Sequence, residues 1–138
     1  MTKIEKFIEL VAEDLGIGIP EIRYKVKLQT DTMLAMADIK NGTLYIKKNL
    51  SEELDSFFVI AHEMRHLWQS KEDPDYFFDR YKPSSVLKDI EEYNMQVAEL
   101  DANAYAVTIM EDFFNATPQF NGLSASLKTK IYHMASLM

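Results

Sequence analysis

Two of the chain's three histidines stand four residues apart, in the segment His62-Glu63-Met64-Arg65-His66. Residues at positions i and i+4 share one face of an α-helix, so both imidazoles can point at a common ion only if this segment is helical. The glutamate after the first histidine can hold a water against such an ion and take its proton. The segment therefore predicts a helix that carries two ligands of a metal site.

This spacing is the H-E-x-x-H pattern of zinc hydrolases. A catalytic zinc usually takes three protein ligands and leaves its fourth position to water. His62 and His66 supply two of these ligands, and Glu63 occupies the position that the general base requires. The alternative interpretation is a pair of structural or exposed histidines with no ion between them.

The third ligand must come from another part of the chain. A histidine six residues after His66 would indicate a metzincin, but that position is Glu72. Glu99 stands out among many carboxylates, because Asn103 follows one helical turn later, where an amide could hold a ligand in place. Asp101 is two residues further on than Glu99 and should point roughly the other way. The alternative interpretation of Glu99 is an ordinary surface glutamate.

Hydrophobic periodicity predicts an α+β protein in which a small antiparallel sheet packs on the motif helix and a long second helix carries Glu99. A first helix is expected from Thr2 to Leu15, and three strands follow at 22–28, 33–39 and 43–47, the last two joined by an Asn41-Gly42 turn. The motif helix is expected from about Glu52 to Ser70, with Trp68 on its apolar side. An irregular loop at 71–84, a long helix from about Ser85 to Asn115 and a short helix at 124–137 complete the prediction.

The length of 138 residues indicates one domain, residues 1–138, with a moderate core. A net charge of −7 makes nucleic acid a poor partner, because phosphate backbones bind basic surfaces.

The absence of cysteine excludes disulfides and thiolate metal sites, and it fits a reducing compartment. No apolar run is long enough for a signal peptide or a membrane span. We therefore expect a cytoplasmic protein without membrane contact. A protein whose leader is missing from the sequence is the alternative, and no pattern predicts an oligomeric state.

A family resemblance extends this picture. Residues 99–106, ELDANAYA, resemble the second signature of gluzincin metallopeptidases, Glu-x-x-Ala-Asp/Asn followed by small residues. Together with the H-E-x-x-H segment and the hairpin before it, they resemble the ImmA/IrrE-like family of small bacterial and phage metallopeptidases over roughly residues 33–110. Met64-Arg65 departs from that family, which usually has a small residue and glycine there. The DNA-binding helix-turn-helix of some relatives is also missing.

The resemblance implies a minimal zincin-like fold and a phage or mobile-element origin. It implies Zn²⁺ held by His62, His66 and Glu99, with Glu63 as general base and Asn103 supporting the ligands. It also implies that a peptide or protein substrate pairs with residues 33–38 as an extra strand. An ordinary internal hairpin arm is the alternative interpretation of that segment.

Peptide hydrolysis further needs a donor for the tetrahedral oxyanion. Tyr81, Tyr105, Arg65 and His133 are chemically able, and we favour His133 as the catalytic donor, with a structural histidine as the alternative. Arg65 can instead pair with an acidic residue of the long helix.

The predicted function is a zinc-dependent endopeptidase of narrow specificity. The first alternative is a metal-binding but non-catalytic interaction protein on the same scaffold, such as an antirepressor or a toxin–antitoxin partner. The second is a structural protein in which the motif arose by chance.

Overall fold

The computed structural model describes residues 1–87 and 89–138 and has the predicted α+β class. None of the helices in that part of the chain is long and apolar enough to cross a bilayer. In chain order the regular elements are α1 Lys3–Leu15, β1 Glu21–Lys25, β2 Ala35–Asp38, β3 Thr43–Lys47, α2 Leu54–Glu72, a π-helical turn Tyr76–Arg80, α3 Ile90–Asn94, α4 Val97–Phe114 and α5 Ala125–Ser136.

Two helix starts follow from capping residues in the sequence. The Thr2 side chain accepts a hydrogen bond from the backbone N–H of Glu5 at 3.1 Å, and Ser124 does the same for Leu127 at 3.1 Å. Both hydroxyls satisfy donors that a helix start leaves unpaired. Helix α1 ends at Gly16, whose φ of 70° is the left-handed conformation that glycine adopts at low cost.

The sheet is mixed, and the prediction of an antiparallel sheet was wrong for its first strand. The strand order is β1-β3-β2, with β1 parallel to β3 and β2 antiparallel to β3. The predicted hairpin between β2 and β3 is present, and Gly42 in its turn has φ 63°. Because β2 reverses the chain direction before β3, β1 and β3 run the same way once they become neighbours.

Strand β2 forms an edge of this sheet. The backbone N–H of Lys47 donates to the carbonyl of Leu34 at 3.0 Å, and Met36 lies opposite Tyr45 in the same register. In an antiparallel pair the bonded residues alternate along a strand. The backbone groups of Ala35 and Ala37 therefore face away from β3, on the free side of the edge.

The long helix predicted from Ser85 to Asn115 is interrupted. Helix α3 ends at Asn94, Gln96 is extended with ψ 142°, and α4 begins at the next residue. The Gln96 side chain holds the backbone of Lys82 by two bonds of 2.9 Å, which accounts for the break. The predicted start of the long helix at Ser85 was also too early, since residues 84–87 form turn and coil. Lys88 lies outside the described residues.

The predicted loop at 71–84 is more ordered than expected. Helix α2 runs on to Glu72, and the π-helical turn Tyr76–Arg80 follows at once. Phe77 in that turn is buried, and its ring lies 5.7 Å from that of His66. Phe77 and Tyr81 thus pack beside the motif helix, whereas Phe78 is exposed.

The apolar core has two parts. The larger part joins α1, the inner sheet face, α2 and α4, and the smaller part joins α4 to α5. Helix α2 contributes the predicted apolar residues, with Trp68 partly buried beside them. The almost fully buried residues that α2 and α4 contribute to the larger part are Phe57, Ile60, Ala61, Met64, Ala106, Ile109 and Met110.

Replacing Ile60 tests this core. Ile60 is fully buried on α2, so Ile60→Ala should lower the free energy of unfolding by about 2–5 kcal/mol through lost contacts and a residual cavity. Leu54→Ala is the matched control, because Leu54 begins the same helix but is exposed, and it should cost less than about 0.5 kcal/mol. Urea denaturation measures both values. Equal losses in the two variants would contradict the described packing.

Candidate metal centre

The two motif histidines lie together on one face of α2, as their spacing predicts. Their Nε2 atoms are 3.2 Å apart, and the rings meet edge to face. The opposite side of the helix packs Ile60 and Met64 into the core, so that the histidine face is directed at α4. The core therefore fixes which way the imidazoles point.

Glu99 reaches this pair from the first turn of α4. Its Oε1 lies 3.2 Å from His62 Nε2, and its Oε2 lies 2.7 Å from His66 Nε2. The Glu99 side chain is only 2% exposed, so the interpretation of an ordinary surface glutamate was wrong. One ligand atom from each of the three residues falls within 4.8 Å of the others, and the structure thus brings the predicted ligands together.

The electrostatics of the cluster suit a cation. Burial by itself would lower the pKa of His66, but the hydrogen bond and charge of Glu99 raise it from 6.5 to about 9. Burial by itself would raise the pKa of Glu99, but hydrogen bonds from both histidines hold it well below its usual range. Within residues 1–87 and 89–138, no salt bridge joins Glu99 to lysine or arginine. Without a metal, the buried carboxylate is thus balanced by a histidine proton, which a divalent ion can replace.

Each histidine is held at its other ring nitrogen by an amide. His62 Nδ1 donates to Asn103 Oδ1 at 2.8 Å, and His66 Nδ1 donates to Gln69 Oε1 at 2.8 Å. Both bonds leave Nε2 as the atom that faces Glu99, as in histidine ligands generally. Asn103 lies where the sequence predicts it. The bond between Gln69 and His66 was not predicted from the sequence.

Two tyrosines cover the carboxylate from the segment before α4. Tyr81 donates to Glu99 Oε2 at 2.7 Å, and its hydroxyl lies 2.9 Å from that of Tyr93. Since Tyr81 has a single hydroxyl hydrogen, Tyr93 must donate to Tyr81. Burial, followed by the charge of Glu99, raises the pKa of both tyrosines, and Glu63 adds to the effect on Tyr93. Tyr93 was not predicted, because no sequence spacing connects it to the motif.

Glu63 lies between the histidines and the sheet edge. Its Oε1 accepts a hydrogen bond from the outward-facing backbone N–H of Ala37 at 2.8 Å. Its Oε2 is 3.7 Å from His62 Nε2, too far for a hydrogen bond. One carboxylate oxygen is therefore anchored by β2, and the other faces the cluster.

The remaining candidates for an oxyanion donor lie elsewhere. Arg65 pairs with Asp101 on α4 at 2.7 and 3.1 Å, in line with the expected pairing to an acidic residue of the long helix. Asp101 does not join the cluster, as its offset of two residues from Glu99 predicts. Tyr105 donates to Asp14 at 2.6 Å, across from α4 to the end of α1. His133 is exposed on α5 and is not brought into the cluster, because α5 packs on α4 through other residues.

The donor set fits zinc by its chemistry. Two imidazole nitrogens and one carboxylate are the protein ligands of many catalytic zinc sites, which keep one position open. The convergence of a buried anion with two such nitrogens is the observation that supports this fit.

Comparisons of the chain with protein-family models, with curated proteins and with solved structures find no match. The likeness of residues 99–106 to a gluzincin signature therefore stays a prediction. The case for a metal centre rests on the positions of His62, His66 and Glu99.

Metal analysis tests the ligand assignment. Purified protein should carry about one zinc per chain, because the cluster offers one set of ligands. His62→Ala and His66→Ala should each abolish stoichiometric zinc binding, as measured by atomic emission after desalting. His133→Ala is the matched control and should retain zinc, since that side chain lies outside the cluster.

A chelator should lower the melting temperature of the wild type and of His133→Ala, because a bound metal stabilises the folded state. It should leave the melting temperatures of the two cluster variants unchanged. Wild-type zinc content in His62→Ala would refute the site.

Proposed function

We propose that this protein is a zinc-dependent peptidase that cleaves a peptide lying along β2. The observation that carries the proposal is the position of Glu63. Its Oε1 is anchored on the β2 edge, while its Oε2 faces the cluster of His62, His66 and Glu99. A general base beside a possible metal-ligand set and at the edge strand of a sheet is an arrangement that suits peptide hydrolysis.

The three ligands would hold the ion through both Nε2 atoms and the Glu99 carboxylate. When bound, zinc supplies Lewis acidity, which polarises a carbonyl and lowers the pKa of a water. Glu63 would accept the proton of the attacking water at Oε2 and deliver it to the leaving amine nitrogen. Water and the peptide bond are then converted into one carboxylic acid and one amine.

Strand β2 offers the substrate a place to pair. The Ala37 N–H is bonded to Glu63 and Ala35 is only 4% exposed, but the Ala37 carbonyl also faces away from β3, and a peptide can add to such an edge there by a main-chain hydrogen bond. Because Glu63 is bonded to Ala37, the base stands at the same edge as the peptide that it would serve.

Tyr93 is the better candidate for the oxyanion donor. Its hydroxyl neighbours that of Tyr81 above Glu99, and burial and the nearby carboxylates raise its pKa, so that it keeps its proton at neutral pH. To serve as donor, that hydroxyl would turn its one hydrogen from Tyr81 to the oxyanion. His133 lacks this position, since it is exposed on α5. We further propose the cytoplasm as the compartment, because a chain without cysteine fits a reducing environment.

Glu63→Gln tests catalysis separately from metal binding. The amide cannot accept the proton of water, so cleavage of a peptide library, read by mass spectrometry, should fall by a factor of about 10² or more. Zinc content and melting temperature should stay at the wild-type level, since Glu63 is not a ligand. A non-catalytic metal-binding protein would instead show no zinc-dependent cleavage in the wild type.

Tyr93→Phe tests the oxyanion donor. Loss of one donor should lower kcat by about 10–10³-fold with little change in KM, because the bond strengthens only in the transition state. His133→Gln is the control and should match the wild type in both constants. A fall in kcat confined to the His133 variant would reverse the assignment.

A further inference from the structure

Gln69 is a buried amide with all of its hydrogen-bonding atoms engaged. Its Nε2 donates to the Ala98 carbonyl at 2.9 Å and to Asp101 Oδ2 at 2.7 Å, and its Oε1 accepts from His66 Nδ1 at 2.8 Å. Both partners of the Nε2 group are acceptors only, so the amide cannot turn over. The oxygen of Gln69 must therefore face His66.

This fixed oxygen controls the ring of His66. It binds a hydrogen on Nδ1, so Nε2 is the only ring nitrogen that can offer a lone pair to an ion. His66 Nε2 is also the atom that lies 2.7 Å from Glu99 Oε2. The same bond restrains rotation of the ring about its long axis, because turning it would leave the buried Gln69 oxygen unpaired.

An ion pair holds Gln69 in turn. Asp101 accepts two bonds from the Arg65 guanidinium, at 2.7 and 3.1 Å, while it accepts the bond from Gln69. The guanidinium lies between the rings of Trp68 and Tyr105, at 3.8 and 4.7 Å from their centres. Arg65 thus balances the charge of Asp101 and keeps its carboxylate in place.

We propose that Gln69 is a positioning residue, which sets the tautomer and the orientation of His66 for metal binding and is itself held by Asp101 and Arg65. This inference rests on the metal centre of the proposed function. It gives a role to Arg65, which lies inside the motif segment, and to Asp101, which stands between the two functional residues of α4 without contacting the cluster.

Gln69→Met tests the role by zinc affinity. The thioether matches the amide in length but is a poor acceptor, so the dissociation constant for zinc, measured by competition with a chelator, should rise by about 10–100-fold. Tyr132→Phe is the control, because it removes the part-buried bond to the Pro118 carbonyl at 2.6 Å, outside the network of Gln69, Asp101 and Arg65. It should lower the melting temperature and leave the dissociation constant within about threefold of wild type, the usual scatter of such contributions. A wild-type dissociation constant in Gln69→Met would overturn the proposal.

The zinc-loaded wild type provides a second measurement, in case Gln69→Met does not fold. Nitrogen-15 NMR should show one histidine side chain with a slowly exchanging hydrogen on Nδ1 that is coupled to Gln69 across space, assigned to His66. A His66 ring bound to zinc through Nδ1, or lacking a protected Nδ1 hydrogen, would overturn the proposal.

The outcomes separate this inference from the proposed peptidase. A wild type that binds zinc but cleaves no peptide, together with weakened zinc binding in Gln69→Met, supports Gln69 and refutes the peptidase. If the wild type cleaves peptides and Gln69→Met binds zinc as tightly as the wild type, only the positioning role of Gln69 is refuted. A wild type that fails to bind zinc overturns both.

Discussion

The contact between α2 and α4 is the interaction on which the rest of the site depends. It places a buried carboxylate against two imidazoles, and each of these groups would be costly to bury alone. The apolar residues of α2 and the alanines of α4 allow the two helices to approach closely, so the polar residues on their facing sides must meet. The same packing that forms the core thereby brings His62, His66 and Glu99 together.

Helix α4 is unusual in being buried on several sides at once. One side, with Leu100, Ala104 and Val107, packs against α5, and another, with Glu99 and Asn103, faces the histidines. A helix surrounded in this way cannot rotate about its axis without exposing apolar surface or leaving a buried polar group without a hydrogen-bond partner. The direction of the Glu99 side chain is therefore set by residues that never contact it.

Local spacing in the sequence was enough to predict the parts of the site that lie on a single helix. The interval between His62 and His66, and that between Glu99 and Asn103, each equal about one turn, and the structure puts each pair on one face. The Asn41-Gly42 turn likewise located the hairpin. These features depend on a few neighbouring residues, which is why the chain itself reveals them.

What the sequence did not reveal depends on contacts between distant segments. The parallel pairing of β1 with β3 follows from which strands become neighbours, and the break before α4 follows from a glutamine that binds the backbone of Lys82. Tyr93 joins the site only because its segment folds back over Glu99. Sequence periodicity does not predict such tertiary contacts, and they can override the local propensity of a segment.

The bond between Ala37 and Glu63 links the hairpin to the chemistry. Side chains and backbone groups alternate along a strand, so a shift of β2 by one residue would turn the Ala37 N–H inward, toward β3. Glu63 would then lose its anchor, although every residue of the cluster would be intact. Insertions or deletions in the turn around Gly42 should for this reason be tolerated only in lengths that preserve the alternation, so a distant surface loop determines where the Glu63 carboxylate lies.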